Sequence, residues 1–208
     1  MTAQSPSNPW VTIWTKPRET IRQIIDTNPS LGFLPLCALY GFPILIHIAR
    51  FFAFGTALPG WSILLISIIL SPIAGFIGIS FWSILLMWTG KWVGGKSHYM
   101  NIRASVSWAN VPNLVNCLVW LILGLSVGAG LFMPGLVEGI SVGMARFILV
   151  LSMIQLIAMI WGLVILIITL SEAQKFSIWR SIANIAIPCA MLLVLGYIVN
   201  SISLRMQS

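Results

Sequence analysis

Five long stretches without a charged residue constrain this sequence more than any other feature. They hold 23, 40, 34, 25 and 24 residues, and they lie between Asp26 and Arg50, Arg50 and Lys91, Arg103 and Glu138, Arg146 and Glu172, and Arg180 and Arg205. A helix that crosses the hydrocarbon core of a bilayer needs about 20 apolar residues, at 1.5 Å each. Each stretch can therefore hold one membrane-spanning helix.

The second stretch is long enough to raise the question of two spans. Leu58-Pro59-Gly60, near its start, predicts a turn, which leaves room for one span after it. The predicted spans are residues 31–49, 61–88, 111–133, 147–170 and 182–202. The expected fold is an all-α membrane protein, in which residues 31–208 form a five-span transmembrane helical bundle.

The composition agrees with lipid as the solvent of this chain. Charged residues make up 7% of the 208 residues, and hydrophobic residues make up 59%. Soluble domains carry roughly 25% charged residues, so too few charges remain here to cover a water-facing surface. The net charge is +7, but the basic residues are scattered singly between apolar stretches. This distribution favours the lipid bilayer as a partner and excludes nucleic acid.

The basic residues also orient the predicted bundle. Five spans place the N-terminus, the second-to-third loop and the fourth-to-fifth loop on one side of the membrane. That side carries eight of the eleven Lys and Arg residues, and the other side carries Arg50, Arg146 and Arg205. By the positive-inside rule, the N-terminus is expected in the cytoplasm and the C-terminus outside.

Residues 1–30 are predicted to be a cytoplasmic segment with a short amphipathic helix. Pro17 suits a helix start, and the isoleucines among residues 21–25 share one face. The favoured interpretation is a helix lying on the leaflet, anchored by Trp10 and Trp14. The alternative is a soluble cap packed on the bundle. The candidate lipid or partner contacts on this side are Trp10, Trp14, Lys16, Arg18, Arg22, Lys91, Lys96 and Arg103.

Small residues recur at four-residue spacing inside two predicted spans. The pairs are Ser71 with Gly75, Ala74 with Gly78, and Gly124 with Gly128. Small side chains let helix backbones approach closely in lipid. Packing within the chain is the favoured interpretation, and packing between copies in a homo-oligomer is the alternative.

Besides Asn200, four side-chain amides lie inside predicted spans: Asn113, Asn116, Gln155 and Asn184. Asn113 and Asn116 are one helical turn apart and can share a face. Hydrogen bonds between helices are the simpler interpretation of all four. The alternative is a polar cavity lined by these amides, which would suit a small permease or channel for an uncharged or anionic solute.

The sequence predicts no enzyme active site. It holds four carboxylates and two histidines, and none of the carboxylates is predicted near the middle of a span. No ligand spacing for a metal ion and no nucleophile motif or phosphate-binding glycine loop is found. We therefore expect no catalytic residue, no cofactor and no metal.

Two segments carry a resemblance to a known family. They are residues 13–22, Ile-Trp-Thr-Lys-Pro-Arg-Glu-Thr-Ile-Arg, and residues 94–112, which begin Gly-Gly-Lys-Ser-His-Tyr and end Ala-Asn-Val-Pro. In order and spacing they resemble the Yip-domain family, the Ypt/Rab-interacting proteins, over about residues 10–203. Ser107-Trp108 stands where the family often has Gly-Tyr, and an Asp-Leu-Tyr-Gly-Pro segment is absent, so the chain is most similar to the bacterial branch.

The resemblance implies five spans with a cytoplasmic N-terminus, in a bacterial cytoplasmic (inner) membrane. It implies a non-enzymatic protein that organises membrane or binds partners through its cytoplasmic face. Eukaryotic members bind Rab GTPases and shape Golgi and endoplasmic reticulum membranes. The expected partners here are the lipid bilayer and either another membrane protein or a second copy of the chain.

Overall fold

The structure is a computed structural model that describes residues 8–134 and 140–207, with side chains up to residue 202. All the regular secondary structure in this part of the chain is helical. The eight α-helices are α1 (Pro9–Thr12), α2 (Pro17–Thr27), α3 (Phe33–Phe51), α4 (Gly60–Trp92), α5 (Tyr99–Trp108), α6 (Asn113–Val127), α7 (Val142–Gln174) and α8 (Ile178–Gln207). Short 3-10 turns follow α3 and α6. Glu138 lies outside the described residues, and Arg205 is described in its backbone alone.

Five helices are long and apolar enough to cross a membrane. They are Phe33–Phe51, Gly60–Trp92, Asn113–Phe132, Val142–Gln174 and Ile178–Ile202. These helices confirm the predicted all-α, five-span architecture. The first and third begin and end within two residues of the predicted bounds, whereas the second, fourth and fifth are longer than predicted.

The tightest helix pair is α3 against α4, and small residues make it possible. A Cβ atom on Gly75 would overlap the backbone carbonyl of Cys37, and one on Gly41 would overlap that of Ser71. The two backbones are therefore in direct contact, as small residues allow in lipid. The small-residue pattern of the second span serves packing within the chain at this place.

Helices α4 and α7 are longer than a bilayer requires. Each has 33 residues, which corresponds to about 50 Å, against a hydrocarbon core of about 30 Å. Helices α5 and α8 pack against both α4 and α7, and α2 packs against α7; hydrogen bonds to Thr89, Thr169 and Glu172 place these contacts near the C-terminal ends of the two long helices. Between α5 and α7, for example, the hydroxyl of Ser105 donates a hydrogen bond to the backbone carbonyl of Thr169, at 3.2 Å.

Helix α5 occupies what the sequence analysis treats as a loop. Six of its ten residues are buried, from Ile102 to Trp108. A four-residue turn separates α5 from α6, so the two are successive helices rather than one continuous helix. Arg103 interrupts the apolar residues of α5, and its side chain reaches out to α3 while Ile102 and Ala104 beside it are buried. The pattern of charge along the sequence therefore does not reveal this helix.

Candidate functional site

The basic residues gather where α2, α5, the C-terminal ends of α4 and α7, and the start of α8 meet. We call this region the basic end. It carries Lys16, Arg18, Arg22, Lys91, Lys96, Arg103, Lys175 and Arg180. Arg50 and Arg146 lie at the opposite end, at the last turn of α3 and the first turns of α7. The structure therefore brings together the eight basic residues that the sequence assigns to one side.

Helices α1 and α2, which we call the cap, pack on the bundle. Ile21 and Ile24 are fully buried, in one cluster with Leu36, Trp108 and Ile165. The isoleucine face of α2 therefore meets protein, which corrects the prediction that it inserts into lipid. The alternative, a cap packed on the bundle, is what the structure shows. Helix periodicity reveals that a face is apolar but not what covers it.

The two tryptophans predicted as lipid anchors also contact protein. The ring of Trp10 meets that of Trp108 edge-on, with centroids 5.2 Å apart. The indole Nε1 of Trp108 donates to the backbone carbonyl of Leu31 at 3.2 Å. Trp14 is half-buried and lines a shallow apolar cleft with Trp161 of α7. Both tryptophans therefore join the cap to the bundle.

Glu172, in the last turn of α7, holds the cap through charge. Its Oε1 accepts hydrogen bonds from Nε of Arg22 at 2.9 Å and from Nζ of Lys175 at 2.7 Å. Nε of Arg18 lies 3.9 Å from Oε2. The carboxylate is 10% exposed while the three cations are at least half exposed. The hydrogen bond to Glu172 raises the pKa of Arg22, so Arg22 stays charged.

Arg103 and Lys16, two further residues predicted to contact lipid or a partner, differ in how far they are bound to the rest of the chain. The guanidinium carbon of Arg103 lies 4.1 Å from the ring centre of Phe33, and its Nη2 donates to Ser30 Oγ at 2.9 Å. Nζ of Lys16 lies 4.0 Å from a carboxylate oxygen of Glu19, and both side chains are largely exposed. Arg103 therefore connects α5 to the start of α3, whereas Lys16 remains at the surface.

Lys91 and Lys96 lie at the basic end, which also holds exposed tryptophans. Trp88 and Trp92 are exposed on α4, with ring centroids 4.7 Å apart, and Trp179 is exposed on α8. The Thr89 hydroxyl donates to Asn184 Oδ1 at 2.6 Å and so joins the two helices. We call Trp88, Lys91, Trp92, Lys96, Trp179 and Arg180 the aromatic–basic patch. In the sequence, Trp88, Trp92 and Trp179 lie near the ends of predicted spans, which suits a belt at the membrane interface, and Arg180 is one of the eight basic residues assigned to this side.

The four predicted amides do not line one cavity. Asn116 Nδ2 donates to Asn113 Oδ1 at 2.7 Å, and Asn113 Nδ2 donates to Asn110 Oδ1 at 3.0 Å. Asn184 instead pairs with Thr89, and Gln155 lies on α7, half-buried. The prediction of one cavity lined by all four amides is therefore wrong. Only Asn113 of the four lines the inner cavity of the bundle, which measures about 310 Å³.

Metal-ligating side chains do not cluster in the described part of the chain. Within residues 8–134 and 140–207, no three His, Cys, Asp or Glu side chains come close enough together to hold a metal ion.

These observations define a polytopic α-helical integral membrane protein with a packed cap and a basic end. A family model for the Yip1 domain matches residues 11–199. The chain therefore belongs to the Yip1-domain family, which confirms the family resemblance. Searches of curated proteins and of solved structures find no match.

Proposed function

We propose that this Yip-domain protein is a non-enzymatic protein of the bacterial cytoplasmic membrane. Its basic end would face the cytoplasm and bind the anionic surface of the inner leaflet. Membrane organisation or partner binding would follow from that contact. The observation that carries the proposal is the aromatic–basic patch, in which exposed tryptophans and exposed cations share the ends of two spanning helices.

The physical argument rests on what each side chain does at a membrane surface. Tryptophan favours the boundary between hydrocarbon and water because its ring is apolar and its N–H is polar. Each basic residue near an anionic leaflet contributes roughly 1 kcal/mol of attraction. The ion pairs found among residues 8–134 and 140–202 do not involve Lys91, Lys96 or Arg180. Their charges are therefore open to head groups.

The cap contributes to this function indirectly. Arg18 and Arg22 are committed to Glu172, and Trp10 and Trp14 are packed on protein. The cap therefore stiffens the basic end rather than inserting into the leaflet. A rigid basic end presents the patch at a constant depth, which strengthens binding because less conformational entropy is lost on contact.

The experiment compares two charge-matched triple variants of the full chain. Lys91→Gln, Lys96→Gln and Arg180→Gln remove three cations from the patch, whereas Arg50→Gln, Arg146→Gln and Arg205→Gln remove three elsewhere. Each protein is placed in nanodiscs of mixed phosphatidylglycerol and phosphatidylcholine, and the retained lipids are identified by native mass spectrometry. We expect the patch variant to lose its preference for phosphatidylglycerol by roughly tenfold or more.

High salt provides a second measurement on the same samples. Screening shortens the range of surface attraction to about 3 Å at 1 M salt, so the wild-type preference should shrink toward that of the patch variant. Equal lipid preference in the wild type and the patch variant, or equal losses in both triple variants, would overturn the proposal.

A further inference from the structure

The inner cavity of the bundle opens sideways. It lies between α4, the turn joining α5 to α6, α7 and α8, and its inner wall includes Leu86, Val106 and Ala158, all buried. Its rim includes Met159, at 60% exposure, and Cys189, also exposed. Both rim residues belong to membrane-spanning helices. Exposure on a spanning helix means contact with lipid, so the mouth of this cavity opens toward the acyl chains of the bilayer.

One wall of the cavity offers neutral hydrogen-bond donors. Each asparagine amide carries two N–H donors. Asn113 uses one of them on Asn110 Oδ1, at 3.0 Å, and Asn110 uses one on the backbone carbonyl of Val106, at 2.6 Å. Tyr40 and Trp82 add a phenol and an indole to the lining, and none of the side chains that line the cavity is charged. This combination suits an uncharged acceptor, such as an ester carbonyl.

The cavity lies at the depth of a hydrocarbon boundary. Tyr40 packs against Gly78 in the antiparallel pair of α3 and α4. The backbone of Gly75 on α4 lies against Cys37 on α3, so counting back from Cys37 to Phe33, where α3 begins, and forward by the same number of residues on α4 reaches Ile79, about one turn before Trp82. The cavity is thus level with the start of the first span. In a bilayer this is the depth at which glycerolipid ester groups meet acyl chains.

We propose that this cavity binds one acyl chain of a membrane glycerolipid. The chain enters between α7 and α8, and its ester carbonyl accepts a hydrogen bond from the amide of Asn110 or Asn113. The volume of about 310 Å³ equals roughly ten water molecules. It therefore holds the first part of one chain rather than a whole lipid. The site is separate from the aromatic–basic patch and needs no charged head group.

The test uses the full protein in bilayers that contain a glycerolipid with a photoreactive diazirine near the ester end of one chain. After illumination, peptide mass spectrometry locates the crosslinks. We expect them to concentrate at Met159, Leu163 and Cys189, on the two rim helices. A spread of equal intensity over the lipid-facing surface of all five spans would overturn the proposal.

Two variants and a control sharpen this test. Ala158→Phe fills the inner wall, and Cys189→Trp closes the mouth at an exposed position where folding is not at risk. Each should lower crosslinking at Met159 and Leu163 about tenfold. Leu192→Phe, in the separate apolar groove between α4 and α8, is the matched control and should leave it unchanged. Unchanged crosslinking in Cys189→Trp would overturn the proposal.

A diether analogue of the same lipid tests the polar wall. It keeps the chain but lacks the ester carbonyl, so it should be retained roughly fivefold less than the diester form, the scale of one hydrogen bond. Equal retention of both would overturn the assigned role of Asn110 and Asn113. Displacement of crosslinking by a water-soluble uncharged solute, with no difference between the two lipids, would replace the lipid with that solute.

Discussion

At the scale of single residues, Glu172 shows how one carboxylate can hold a distant segment. It lies in the last turn of α7, yet its Oε1 accepts a hydrogen bond from Arg22, 150 residues earlier in the chain. Its side chain is largely buried and meets three cations. A buried carboxylate without these partners would be strongly disfavoured, so the cations and the docked cap stabilise one another.

Replacing Glu172 with Gln should loosen the cap. The amide keeps the shape of the side chain but removes the charge that Arg18, Arg22 and Lys175 share. We expect amide hydrogen exchange in Pro17–Thr27 to become roughly fivefold faster, the scale of a partly exposed ion pair. Hydrogen exchange of the protein in nanodiscs, followed by mass spectrometry, measures this directly.

Glu19→Gln is the matched control. It also removes one negative charge, but from α2, where Glu19 forms an exposed pair with Lys16 at 4.0 Å. Exchange in α2 should stay at the wild-type rate in this variant. If the amide exchange rates of α2 are the same in both variants, the ion pairs of Glu172 do not hold the cap on the bundle.

At the scale of elements, the pair of α3 and α4 depends on glycine. The backbones of Gly41 and Gly75 lie directly against the partner helix, so even a methyl group has no space. In lipid, such close packing replaces the hydrophobic driving force that holds helices together in water. The pattern of small residues in the sequence indicated the packing face of α4, and the structure identified α3 as its partner.

Replacing Gly75 with Ala should therefore destabilise the protein. The added methyl group would overlap the carbonyl of Cys37 and push the two helices apart. Overpacking of this kind costs about 1–3 kcal/mol. Thermal unfolding in detergent should show a lower midpoint temperature than that of the wild type.

Gly196→Ala carries the same substitution on α8, where nothing lies within 4 Å of the added atom. It should leave the midpoint unchanged or raise it slightly, because Ala favours a helix by up to about 1 kcal/mol over Gly. A fall of the same size in both variants would mean that contact with α3 does not explain the effect, because helix propensity alone predicts a rise.

At the scale of the whole molecule, charge and length together suggest how the protein sits in a membrane. At the basic end, α5 and α8 pack against both of the long helices α4 and α7, and α2 packs against α7. Eight basic residues lie at that end, against three on the opposite side. We expect the basic end in the cytoplasm, because cytoplasmic loops carry the excess of Lys and Arg.

Substituted cysteines test this orientation in whole cells. Lys96→Cys and Arg146→Cys place a thiol at exposed positions on opposite ends of the bundle. A maleimide that cannot cross the membrane that holds the protein should label Arg146→Cys in intact cells and Lys96→Cys only after that membrane is opened. The wild type, with its native cysteines, sets the background. Labelling of Lys96→Cys alone in intact cells would mean that the orientation is reversed.

The positions of the spans could be predicted from the sequence because hydrophobicity is a local property. Lipid solvates each helix separately, so an uncharged stretch of sufficient length indicates a span whatever its neighbours are. The family could be predicted for a related reason, since its motifs are short and contiguous. The same local argument placed eight basic residues on one side.

The sequence by itself determined the five spans, the family and the sidedness of charge. Only the tertiary structure decided that Ile21 and Ile24 pack on protein, that α5 is a buried helix, and that Asn184 pairs with Thr89 instead of joining Asn113. Each of these depends on which distant segment covers a given face. An amphipathic or polar side chain shows the same pattern along the sequence whether lipid, water or another helix lies against it.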